Sequence, residues 1–225
     1  MNTQKFNGQR LKEALQFREK KMTELADETG ISKQSLSLYA NDGNVPPFDN
    51  VIKIARALEF PTDFFMSEDL CTASTGNTYF RSQASATKKS RNAQKIKLEY
   101  VSKIYEVILN YMNVPELNIP DTSVINIPED ISNVDSDEAI SEIEKLAKLI
   151  REHWDLGNGP IDNLQYALQS NGIIVTGFRD VDTNIDAFSQ QITIDGKIVY
   201  IIALAIGSKP IERLRFDMAH ELGHI

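Results

Sequence analysis

Apolar residues recur at steps of three and four through the first part of the chain, broken at short intervals by polar clusters. Leu11, Ala14 and Leu15 fall on one helix face, and a second helix, with Thr23 as its cap, carries Leu25 and Ala26. Gly30 supplies a break, and Ser32 caps a third helix running through Leu36 and Tyr39. Asn41-Asp42-Gly43-Asn44, followed by Pro46-Pro47, predicts a loop. Val51, Ile54, Ala55 and Leu58 mark a fourth helix, and Pro61 opens a last short one holding Phe64 and Phe65. Residues 1–66 are therefore predicted to form an all-α domain of five short helices with a core of its own.

The pattern then changes. Residues 67–84 are rich in Ser, Thr, Asn and Gly and predict a linker. A long helix is expected over 85–112, basic at its start and apolar later, and an extended loop over 113–135, which holds three prolines. Ile140, Ile143, Ala147, Ile150 and Trp154 mark an amphipathic helix. Pro160 at a first turn and Asn171-Gly172 at an end frame another. Strand patterns follow at 173–178, 185–194 and 197–204, the last two joined by an Asp195-Gly196 turn. Pro210 starts a final helix. Residues 85–225 thus predict an α+β domain.

Composition narrows the setting. No apolar run is long enough to span a bilayer, the start has no signal-peptide core, and the single cysteine, Cys71, allows no intrachain disulfide, so no membrane association and a cytoplasmic location are expected. The net charge of −8 is uneven: residues 1–66 hold nine basic and nine acidic side chains, 67–112 seven and four, and 113–225 eight and nineteen. Because salt screens charges beyond about 8 Å, the acidic back half does not exclude nucleic acid at the front.

Thr23 to Tyr39 has the pattern a helix-turn-helix needs: small Ala26 where two helices cross, Gly30 at the turn, and Ile31, Leu36 and Tyr39 pinning the second helix. Its outward positions are Lys33, Gln34, Ser37 and Leu38. In a major groove Lys donates to guanine, Gln pairs with adenine, and Leu meets a thymine methyl. Ser32-Lys33-Gln34, the loop Asn41-x-x-Asn44-x-Pro46 and the run Ile54-Ala55-Arg56-Ala57-Leu58 resemble the helix-turn-helix of XRE-type phage repressors over about residues 7–66. Ala40 stands where that family usually has Glu and Asp42 where it usually has Gly. The resemblance implies a transcriptional regulator that binds a double-stranded DNA operator as a homodimer, with Asn41 in the backbone-contacting loop.

Arg81, Lys88, Lys89, Arg91, Lys95 and Lys97 form a run with no acid before Glu99. It either tracks DNA phosphates beside the helix-turn-helix or pairs with the acidic back half.

The chain ends on His220-Glu221-Leu222-Gly223-His224. Two histidines four apart on a helix point the same way and can hold one zinc ion, with Glu221 as general base for a bound water; alternatively the pair is a helix end with a capping histidine. Arg213 to His224, together with Tyr79-Phe80-Arg81-Ser82, Trp154 to Ile161, Asn171 to Val175 and Asp186 to Gln190, resembles the ImmA/IrrE-type zinc metallopeptidases. The resemblance implies a zincin-like fold, a zinc cofactor and a protein substrate such as a repressor. It also implies an acidic third ligand beyond the histidines. The chain stops at Ile225, so that domain is expected to be truncated and to hold zinc weakly or not at all, and the last turn to fray and spread the two imidazoles. His153 is expected to be a structural or surface residue rather than a substitute ligand. Two functions remain open: a DNA-binding regulator carrying a partial peptidase domain, and a zinc peptidase targeted by its helix-turn-helix.

Overall fold

The computed structural model describes residues 5–68, 71, 74–80, 87–123, 125, 137–179, 186–207 and 209–225. Arg81, Ser82 and most of the expected loop beyond 123 lie outside them.

The front of the chain is a helical bundle. α1 (Gly8–Phe17) begins where the Asn7 side chain accepts from the amides of Gln9 and Arg10. α2 (Met22–Thr29) does not use Thr23 as its cap. The cap is Lys21, whose backbone N–H donates to Glu24 Oε2 at 2.7 Å. An acid three positions into a helix can satisfy an orphan amide that the Thr23 hydroxyl, one turn position too late, cannot reach. Gly30 closes α2 with φ 68 and donates to the Ala26 carbonyl. α3 (Lys33–Ala40) starts at Ser32, whose hydroxyl accepts from Ser35 N at 3.1 Å. α4 (Phe48–Leu58) and a 3-10 turn at Thr62–Met66 complete the bundle. Leu11, Ala14, Leu25, Leu36, Val51, Ile54, Leu58 and Phe65 interlock as one buried core.

One glycine is dictated by space. A Cβ on Gly8 would lie 2.4 Å from the Tyr39 carbonyl oxygen and 2.7 Å from that of Ala40, so the start of α1 sits directly on the end of α3. The Gly8 N–H donates to Asp42 Oδ1 at 3.1 Å.

The rest of the described chain is a mixed helix and sheet region. Four strands, β1 (Ser74–Phe80), β2 (Ile173–Phe178), β3 (Ala187–Ile194) and β4 (Lys197–Ala205), lie in the order β1-β3-β4-β2. β1 and β4 run antiparallel to β3, and β2 runs parallel to β4. Asp195 (φ 48) and Gly196 (φ 77) turn the central hairpin. β1 falls inside the expected linker. An edge strand draws its stability from backbone pairing along β3, so a polar stretch can serve without an apolar alternation.

Alternation along β3 and β4 divides the sheet into two faces. Phe188, Ile192, Ile194, Ile201 and Ala203 pack against Leu98, Val101 and Tyr105 of α5 (Lys88–Leu109). Ala187, Ile202 and Leu204, with Ile173, pack with Trp154, with Leu164 and Leu168 of α7 (Leu164–Ser170), and with Met218 of α8 (Ile211–Leu222). α6 (Asp137–His153) precedes Trp154. α7 begins later than Pro160 implies: Asn163 caps it by accepting from Tyr166 N at 2.9 Å. The delay follows from Arg215, whose guanidinium takes the carbonyls of Ile161 and Asp162 and holds that stretch out of the helix. His153 is bonded to Asn118 Oδ1 at 2.7 Å, and the Asn118 carbonyl accepts from the Trp154 indole at the same distance. It ties the 113–123 segment to α6.

α5 also meets the bundle. Tyr100 donates to Glu13 Oε2 at 2.7 Å, and Arg10 pairs with the same oxygen at 3.3 Å. Phe17 stands edge-on to the Tyr100 ring at 5.8 Å. Burial first, then the Glu13 hydrogen bond and charge, push the Tyr100 phenol far above its ordinary value, against a smaller opposing pull from Arg10. Tyr100→Phe should therefore cost about 1.5 kcal/mol, the low end for a hydrogen bond to a charged group. Urea unfolding is expected to show a lower midpoint with an unchanged slope.

Candidate nucleic-acid interface and a histidine pair

α3 is held from behind and open in front. Leu36, Tyr39 and Ala40 are buried, and Lys33, Gln34, Ser37 and Leu38 are all exposed, Leu38 at 44%. Asn41 follows as the C-cap and is also exposed. Its Nδ2 donates to the Ser37 carbonyl at 2.9 Å, which closes the last turn and leaves one amide proton for an outside acceptor. The two departures noted in this loop have structural roles. Ala40 is 2% exposed beneath Gly8, where a longer acid would not fit. Asp42 adopts φ 55, a conformation that Asp tolerates, and its carboxylate is engaged by the Gly8 N–H.

The basic run divides along α5. Lys88, Lys89 and Lys95 are exposed, and Arg91 and Lys97 are half-buried. The Lys97 ammonium lies between two rings, 5.7 Å from the centroid of Phe17 and 5.8 Å from that of Phe178.

Near the end of the sequence, α8 carries His220 in its last turn, and His224 lies just past the Gly223 cap. The imidazoles are not spread. Their Nε2 atoms stand 3.3 Å apart and the ring centroids 4.9 Å. The turn continues because Gly223 N–H reaches the Ala219 and His220 carbonyls and His224 N–H reaches that of Glu221. Packing holds it as well, since Met218 and Glu221 are buried and Leu222 and Ile225 lie against the second core. Donor atoms of His220, Glu221 and His224 all fall within 4.8 Å of one another. Two imidazole nitrogens bound at 2.0–2.1 Å to one tetrahedral ion would be about 3.4 Å apart, so the spacing fits such a metal.

Residues 11–65 match the helix-turn-helix family. This match supports DNA binding of the XRE regulator type by the front of the chain. No curated protein and no solved structure matches the chain. The helix-turn-helix itself consists of α2, the Gly30 turn and α3, with α1, α4 and the 3-10 turn as its support. Among the described residues no helix is long and apolar enough to cross a membrane.

Sequence reasoning missed the groups that fix α8. Lys209 bonds Asp186 Oδ1 at 2.6 Å and Asp217 Oδ2 at 3.3 Å, while Arg213 bonds Asp186 Oδ2 at 2.8 Å and Asp217 Oδ1 at 3.2 Å. The Arg213 to Asp217 spacing was a usable signal, being one helical turn. Asp186, which enters from the start of β3, had none.

The Lys209 hydrogen bond, ahead of its charge and the Arg213 contacts, holds the Asp186 carboxyl below its ordinary value. A carboxyl depressed in the folded state stabilises above its unfolded pKa and loses that contribution as pH falls. The stability difference between wild type and Asp186→Asn should be full at neutral pH and shrink below about pH 4. Urea titrations at stepped pH check this.

Proposed function

We propose that this chain is a sequence-specific transcriptional regulator that places α3 in the major groove of a duplex operator and acts as a homodimer. The observation that carries the reading is the exposed row of Lys33, Gln34, Ser37 and Leu38 on a helix whose opposite side is locked into the core. Lys33 serves guanine edges, Gln34 adenine edges and Leu38 a thymine methyl, while Ser37 and Asn41 lie toward the loop that meets the phosphates. One such helix reads only a few base pairs. Two copies on a near-palindrome, with half-sites about 34–36 Å apart, supply the remaining specificity.

Gln34→Ala should weaken operator binding by about 1–3 kcal/mol and relax preference at one base pair in each half-site. Footprints in which variant and wild type agree in strength and in preferred sequence would remove Gln34 from the interface.

A second reading, a zinc peptidase acting on a protein such as a repressor, is favoured by the convergence of His220 and His224 beside buried Glu221. A zinc ion held there would supply Lewis acidity and a water acidified toward neutral pH. His220 and His224 would be its ligands, and Glu221 the group that takes the proton of that water. A catalytic site needs three protein ligands; among the described residues the two imidazoles converge with Glu221, the proposed base, and two imidazoles alone hold the ion loosely. The expected result for these 225 residues is less than one zinc per chain after dialysis against trace zinc, none with His220→Ala, and no peptide hydrolysis. Stoichiometric zinc that is lost with His220→Ala, together with Glu221-dependent cleavage of a repressor, would make the peptidase reading the better one.

A further inference from the structure

We propose that the solvent-facing start of α5 is a second DNA-contact surface, in which Lys88, Lys89 and Lys95 bind the phosphate backbone of the duplex that α3 reads. The inference rests on the DNA-binding reading above and adds to it a site outside the helix-turn-helix. Lys88, Asn92 and Lys95 follow one another at steps of four and three, and Lys89 lies three before Asn92, so all four share one helix face. All four are exposed, while Ser90, Ala93 and Gln94 on the other side are buried. Lys88, Lys89 and Lys95 have no hydrogen bond or ion pair among the described residues, so the acidic back half does not neutralise them there.

Their position is set by the bundle. Tyr100 and Lys97 seat α5 on Phe17 at the end of α1. Toward its N-terminus α5 then passes the α1 to α2 turn. There the Glu24 carboxyl is held below its ordinary value first by the Lys21 N–H and then, against burial, by the charges of Lys89, Lys21 and Lys20. Lys20 is committed to Glu28 and the Ala57 carbonyl, but Lys21 is exposed. The α5 lysines therefore extend a basic edge that begins at the first helix of the helix-turn-helix. Because α5 is bonded to α1 through Tyr100 and Glu13, the patch moves with α3 and does not trail on a tether. Phosphate contacts of this kind add affinity and salt sensitivity without reading bases.

The test uses the full chain carrying Lys88→Gln, Lys89→Gln and Lys95→Gln together, with fluorescence anisotropy on an operator duplex and a scrambled duplex across a salt series. Each lost phosphate contact removes about 0.9 from the slope of log affinity against log salt, so the triple variant should be shallower by about 2–3 per bound chain, or about 5 for the proposed dimer. Binding to both duplexes should weaken in parallel, and the sequence selected from a random pool should not change. Lys95→Gln alone, which keeps most of the surface intact, should give about a third of the effect. An unchanged slope with operator binding retained overturns the proposal and leaves the DNA-binding reading standing. Loss confined to the operator duplex also overturns it, because phosphate contacts cannot discriminate sequence. A wild-type chain that binds neither duplex removes both the proposal and the reading beneath it.

Discussion

A buried carboxylate needs partners, and the partner found by Glu13 joins the two halves of the molecule. Its oxygen receives both the Tyr100 hydroxyl from α5 and the Arg10 guanidinium from its own helix. Removing one partner from a buried, charged hydrogen-bonded group costs more than the pair contributes when intact, because the remaining charge stays out of water. α5 is thus shared between two cores. Leu98, Val101 and Tyr105 pack on the sheet, Tyr100 faces the bundle, and Lys97 lies between Phe17 of the bundle and Phe178 of the sheet. A 22-residue helix with one face in each body fixes the direction in which the recognition helix is presented.

The uneven charge is laid out around the same helix. Residues 113–225 carry the acidic surplus, and they follow α5 in the chain, whereas its exposed lysines lie at its start beside α2. Because salt screens charges over about 8 Å, what a polyanion meets is the local charge, so a chain acidic in total can still offer a basic edge.

What could be read from the sequence was set by the range of the forces involved. Leu11, Ala14, Leu25, Leu36, Val51, Ile54 and Leu58 were legible as core because each helix announces its buried face within a few residues. Asp195-Gly196 was legible because a two-residue hairpin turn demands residues that tolerate positive φ. The outward side chains of α3 followed once its buried side was known. β1 was not legible, since its pairing partner lies more than a hundred residues away and its first five residues are Ser, Thr, Gly, Asn and Thr. The start of α7 was misplaced for a similar reason, because Arg215 holds the preceding carbonyls from a distant helix. Thr23 lost the cap to Lys21, whose amide is satisfied by Glu24, an outcome that composition does not rank. The closeness of His220 and His224 depends on the packing of Leu222 and Ile225, which spacing alone does not reveal.

The absent side chain at Gly8 bears on how such a protein can diverge between lineages. Lys33, Gln34, Ser37 and Leu38 are surrounded by solvent, and exchanges at such positions usually change stability by less than about 0.5 kcal/mol. If these side chains read the operator as proposed, its preference can drift there almost freely. Gly8 is different: the nearest atoms to a new methyl would be the backbone oxygens of Tyr39 and Ala40, which no rotamer change can move aside. Even alanine would have to displace the end of α3 or the start of α1, and with it the Asp42 contact that shapes the loop. On the proposed reading, the side chains that choose the DNA sequence are open to substitution, while the buried Gly8 determines whether their helix keeps its place.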